Sequence, residues 1–143
     1  MKSNTQLLEV SEYNQEGYSP VIDFQSWRVA ILNYIDELEA DQIDNFQCHE
    51  ETDEVFVLLE GKCILFCAEV DEMNNIVDIV SWDMEPNKAY NIKRGVYHTH
   101  TLSNKGKVLI VENSDTDDSN SPKIMIDDTV RNKLGHIVSG LWH

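Results

Sequence analysis

The sequence predicts an all-β domain, a sandwich or barrel of short strands closed by one short C-terminal helix. Three observations carry this. Short runs rich in Val, Ile, Leu, Phe and Tyr recur along most of the chain, each ended by a polar or glycine-containing break. Their even spacing suits a sandwich or barrel and not a helical bundle. Helical periodicity emerges only near the C-terminus.

Taken in order, the residues up to about Pro20 show no clear period. They are free to pair with a sheet edge, in the same chain or in a partner, and the second option makes a homodimer an expectation. Ser26 to Ile35 is the first clear β-rich run. Phe46 to His49 is a short run before the acidic stretch Glu50 to Asp53. Glu54 to Glu60 ends at Gly61, and Lys62 to Glu69 follows at once, so these two read as neighbouring strands joined by a tight turn. Ile76 to Trp82, Ala89 to Lys93, Tyr97 to Leu102 and Val108 to Glu112 complete the series. Asn113 to Pro122 is polar and rich in breakers, which marks a loop. Beyond it Asp127 or Asp128 is placed to cap a helix. Val130, Leu134, Ile137 and Val138 then recur at helical spacing, which predicts an apolar face packed on the barrel. The barrel is thus expected over about residues 20–113, and the loop and helix over about 114–143, in one domain of 143 residues.

Composition narrows the function. Lys plus Arg is 11 and Asp plus Glu is 26, a net charge of -15. Such a chain repels phosphate backbones and anionic lipid, so neither nucleic acid nor a membrane surface is an expected partner. The longest apolar runs, Val55 to Leu59 and Cys63 to Ala68, are too short to cross a bilayer. The first residues lack the apolar core of a signal peptide. Cys48, Cys63 and Cys67 fit neither a disulfide framework nor a metal finger, so they read as packing residues in a reduced, cytoplasmic protein. No glycine-rich phosphate loop and no Gly-x-Ser-x-Gly elbow occurs.

The chemistry concentrates in Gln47-Cys48-His49-Glu50-Glu51-Thr52-Asp53-Glu54 and in Gly95-Val96-Tyr97-His98. Strand residues two apart share a face, so Gln47 and His49 point together and Cys48 points away. A turn through Glu50 to Asp53 brings the Glu54 carboxylate back beside His49. His98 and His100 also share a face. Two imidazoles and a carboxylate make a competent site for a divalent transition metal, to which Gln47 could add a weaker amide oxygen. Positions left open would take water or substrate.

These two stretches resemble the two motifs of the cupin superfamily. The first motif runs Gly, five residues, His, one residue, His, three or four residues, Glu, six residues, Gly. His49, Glu54 and Gly61 match it, while Asp41 stands for the first Gly and Gln47 for the first His. The second runs Gly, five residues, Pro, one residue, Gly, two residues, His, three residues, Asn. Gly95 and His98 match it. Asn87, Lys93 and Leu102 replace the first Gly, the Pro and the Asn; Asn87 keeps access to left-handed turn geometry.

The resemblance spans roughly Ser26 to Glu112 and implies a cupin double-stranded β-helix, or jelly-roll barrel, with the site inside. It implies His49, Glu54 and His98 as metal ligands, Gln47 at the altered fourth position, and iron, manganese, nickel, zinc or copper as the metal. The exchange of His for Gln leaves three outcomes open: weaker binding, a different metal, or none. His100, facing the same way as His98, could compensate. His100, Tyr97 and Lys93 are the candidates for contacting a ligand. Tyr90, Trp27, Trp82 and Phe46 fit better as core. Two functions follow. One is a metal-dependent isomerase, lyase or dioxygenase acting on a small polar metabolite, a sugar or a carboxylate. The other is a non-catalytic small-molecule binding or sensing module without metal.

Overall fold

The computed structural model describes residues 7–142. Ten strands form two antiparallel five-stranded sheets. The first sheet contains β1 (Gly17–Phe24), β2 (Trp27–Asn33), β9 (Lys107–Asn113), β4 (Glu54–Glu60) and β7 (Ala89–Ile92), in that spatial order. The second contains β10 (Lys123–Met125), β3 (Asn45–Gln47), β8 (Tyr97–Leu102), β5 (Cys63–Val70) and β6 (Ile76–Asp83). The helix α1 spans Asp128–Leu141. The expected β-barrel with a C-terminal helix is therefore what the chain forms. The described residues contain no helix long and apolar enough to cross a membrane.

One expected neighbourhood changes. β4 and β5 are consecutive but lie in different sheets: β4 pairs with β7 and β9, and β5 with β6 and β8. Gly61, at φ +64, carries the chain from one sheet to the other, and a Cβ there would meet the Lys105 carbonyl carbon and oxygen at 2.6 Å. Only glycine tolerates both the conformation and the contact.

The strand periodicity sorts side chains into two cores. Between the sheets lie Leu32, Phe56, Leu58, Leu65, Leu102 and Ile110. Behind the second sheet, Phe46, Ile64, Phe66 and Ala68 meet Leu134 of α1, which is fully buried. β5 buries both of its faces, which is why it reads as an unbroken apolar run instead of an alternation. Asp127 caps α1 by accepting from the Val130 amide, 3.0 Å away.

Of the ambiguous N-terminal segment, residues 1–6 lie outside the described residues and Gly17–Pro20 opens β1, which pairs with β2 of the same chain through a bulge between Pro20 and Ile22. The expected loop at 113–122 contains one 3-10 turn, Asp118–Asn120, and leads into the short strand β10 against β3. Of the aromatic residues expected in the core, Phe46 is fully buried and Tyr90 packs against the inter-sheet core. Trp27 and Trp82 do not, each being 44% exposed: they lie on β2 and β6 beyond the reach of the apolar filling.

Candidate metal centre

Backbone pairing brings the two motif stretches together. Gln47 on β3 is the register partner of His98 on β8, and Glu54 opens β4. The segment between β3 and β4 is pinned on two sides. The Gly95 amide donates to His49 O at 2.8 Å, and the Arg94 amide and Asn91 Nδ2 donate to the Asp53 carboxylate at 2.7 and 3.1 Å. On the other side, the Cys48 and Glu50 amides donate to Pro122 O and Asn120 O. Asp53 is thus an anchor for the turn, and these bonds hold its carboxyl below the usual carboxylate range.

At the centre, His98 Nε2 lies 2.9 Å and His49 Nε2 3.3 Å from Glu54 Oε1. The imidazoles meet edge to face, their centroids 5.1 Å apart. His98 Nδ1 lies 3.0 Å from Val96 O, and His49 Nδ1 2.8 Å from Ser121 Oγ. A carbonyl only accepts, so His98 carries its proton on Nδ1. The Ser121 hydroxyl donates to Asn120 Oδ1 at 3.1 Å, so its oxygen is the acceptor for His49 Nδ1–H. Both Nε2 lone pairs then face the same carboxylate oxygen. That confrontation of acceptors is relieved by a cation between them, either a second proton on the rings or a metal ion. Outer partners that fix the tautomer in this way are a regular feature of metal-ligating histidines.

The titration directions agree. Burial pushes His49 down, but the hydrogen bond to Glu54 and its charge outweigh burial and raise it. Burial pushes Glu54 up, but hydrogen bonds with His49, His98 and Glu112 bring it well below the ordinary range. The candidate ligand atoms of His49, Glu54 and His98 all lie within 4.8 Å of one another, so this trio could hold a metal ion.

The other expected site residues divide. Gln47 lines the cavity, but its amide nitrogen is committed to Ser121 O at 3.0 Å. His100 lines the cavity without joining the convergent trio. Burial pushes it down to about 4, so it is neutral at pH 7, and its buried Nδ1 has no hydrogen-bond partner. Tyr97 does not face the cavity: alternation along β8 turns it to the outer face, where it packs with the core beneath α1. Lys93 also lies outside, because it sits exposed on the turn between β7 and β8, its carbonyl accepting from the Val96 amide.

Three further residues complete the site. Glu112 on β9 is buried beside Glu54. Its Oε1 accepts from Tyr18 Oη at 2.7 Å and from Arg28 Nε and Nη2 at 3.2 and 2.8 Å. Burial, and then the nearby Glu54, raise Glu112 to about 7. One sequence signal pointed to it: Val108, Ile110 and Glu112 share the buried face of β9. Arg28 lies in the same kind of alternation, sharing a face of β2 with buried Ala30 and Leu32, while Tyr18 carries no such signal. Together with His49, Glu54 and His98, these groups line a cavity of about 620 Å³ inside the barrel, with Leu32 and Ile110 on its apolar wall.

No protein-family model matches the sequence, and no curated protein does. Solved structures do resemble it. Pac13 from Streptomyces, described as a nucleoside dehydratase, superposes with a TM-score of 0.53 at 8% identity, over 83% of this chain and 89% of that one. The capsular polysaccharide assembling protein CapF of Staphylococcus aureus gives 0.51 at 16% identity, over 82% of this chain and 31% of that one. A cupin-2 domain containing protein from Shewanella frigidimarina gives 0.49 at 18% identity, over 71% and 84%. The motif positions, the two facing five-stranded sheets and the inward His-Glu-His trio agree: the chain is a β-barrel of the cupin fold.

Proposed function

We propose that the protein binds one divalent transition metal ion, iron, manganese, nickel or zinc, through His49, Glu54 and His98, and holds a small polar molecule beside it in the barrel. One observation carries this reading. Both imidazoles are fixed through Nδ1, by Val96 O and Ser121 Oγ, so that both Nε2 atoms converge on Glu54. Three protein ligands leave open positions, and a bound ion would supply Lewis acidity there.

The chain's own residues supply the rest. Val96 and Ser121 orient the rings. Arg28 and Tyr18 hold one oxygen of Glu112, which keeps that carboxyl beside Glu54 on the cavity wall. Leu32 and Ile110 keep water from one side of the cavity, which strengthens the polar interactions within it. Pac13 is described as a dehydratase of nucleosides and has been seen with uridine, so a barrel of this shape accommodates a small polar molecule. That supports a small-molecule ligand here.

A metal-free binding module is the second reading, and Gln47 favours it: an amide stands where an imidazole would strengthen the metal site, and its nitrogen is turned to Ser121. Elemental analysis of wild type, His98→Ala and His98→Gln decides between the two. We expect close to one metal ion per chain in wild type and loss of it in both variants, with circular dichroism confirming that they fold. No uptake by wild type after incubation with iron, manganese, nickel and zinc would remove the metal reading and leave the binding module.

A further inference from the structure

The cavity lining is unbalanced in charge and in hydrogen-bonding character, and this bears on what can enter. Six carboxylates line it. Glu37, Asp44, Asp117 and Asp118 are exposed at the mouth, and Glu54 and Glu112 are buried on the floor. Among the lining residues Arg28 is the one Lys or Arg, and its guanidinium is already engaged. It donates to Glu112 Oε1, to Ser114 O at 3.2 Å and to Thr116 O at 3.0 Å. Even a divalent ion on the floor leaves the lining negative.

The neutral groups point the same way. The Gln47 amide nitrogen donates to Ser121 O, the Ser121 hydroxyl to Asn120 Oδ1, and the Thr116 hydroxyl to Asn113 O. These three donors are engaged within the chain, and the six carboxylates make acceptors the larger part of what the lining offers an incoming molecule. Independently, His100 on the same wall has a buried Nδ1 with no hydrogen-bond partner, a polar atom that the chain leaves unsatisfied.

We infer that the ligand of this cavity carries an ammonium or guanidinium group, received by the carboxylates at the mouth, and that carboxylate- and phosphate-bearing metabolites are excluded. A cationic donor matches both the sign of the lining and its surplus of acceptors. The inference rests on the cavity being a ligand site. It narrows the sugar or carboxylate expected from the sequence: the carboxylate meets like charge, and the neutral sugar becomes an outcome of the test.

Three four-carbon probes that differ in charge supply that test: putrescine, butanediol and succinate. Each is titrated into the protein by calorimetry and thermal shift, once after chelation and once after metal loading. We expect putrescine to bind at least about tenfold more tightly than butanediol, and succinate not to bind. A net acidic protein also attracts diamines without a site, so two charge-matched variants are compared. Asp44→Asn with Asp118→Asn should weaken putrescine binding about fivefold or more, and Glu69→Gln with Asp78→Asn, an exposed register pair on β5 and β6 outside the cavity lining, should not. Equal response to all three probes, response to none, tighter binding of butanediol or succinate, or equal loss in the two variants overturns the inference. The metal arms separate it from the metal reading. Putrescine binding by chelated protein that takes up no metal retains the charge preference while the metal site fails. Succinate binding that requires loaded metal does the reverse.

Discussion

Gly61 and Asn87 show how the motif positions act one residue at a time. Both hold left-handed backbone, at φ +64 and φ +67, but only at Gly61 would a Cβ also strike backbone, the Lys105 carbonyl. Gly61→Ala should therefore cost about 2 kcal/mol or more in urea unfolding. Asn87→Gly should change stability by less than about 0.5 kcal/mol, since Asn already tolerates that conformation. Arg28 matters in a different way. Arg28→Ala leaves Glu112 buried beside Glu54 with no counter-charge, a loss of about 3 kcal/mol. The sign with pH follows from Glu112, raised to about 7 from an unfolded value of 4.5. The stability tied to its protonated form is complete below the unfolded value and lost as pH rises through about 7. Unfolding of the variant should therefore show a larger loss at pH 8 than at pH 5; an equal loss would mean that Glu112 does not change its protonation between the two. The residues legible in the sequence were those with local spacing: His49 with Glu54, and His98 after Gly95. Arg28 and Tyr18 stand 84 and 94 residues from Glu112, and a contact at that separation leaves no local pattern to read.

The same division holds for the elements. β4, β5, β8 and β9 were legible because their side chains alternate, or run continuously where both faces are covered. β1 was not. Pro20 interrupts it, and the chain accommodates the proline on an edge strand with a bulge. β10, three residues long, is too short for any period. The helix α1 was legible from its caps and apolar spacing, and its position decides what its loss should do. Leu134 is fully buried against the outer face of the second sheet, while the His-Glu-His trio points into the barrel. Leu134→Ala should cost about 3 kcal/mol in denaturant unfolding. Metal content of the folded variant should remain that of wild type. A variant that folds but loses metal would show that the helix shapes the site through β3 and β8, which lie between them.

On the scale of the whole molecule the governing quantity is charge. The net value of -15 was legible from composition; the meeting of Glu37, Asp44 and the adjacent pair Asp117 and Asp118 at one cavity mouth was not, because three separate segments of the chain supply them. A net charge that large repels itself in the compact state, and salt screens the repulsion. Sodium chloride should therefore raise the melting temperature of wild type steadily from low salt to about 0.5 M, where the screening length falls to a few ångströms. His98→Ala should show the same salt slope, since it removes no negative charge. Magnesium, which prefers oxygen ligands, should act on both proteins alike and somewhat more strongly than sodium. A transition metal at micromolar concentration should stabilise wild type alone, because saturating a site stabilises in proportion to the logarithm of ligand over dissociation constant. If His98→Ala gains as much from the transition metal as wild type does, the stabilisation comes from the acidic surface, and His98 does not hold the ion.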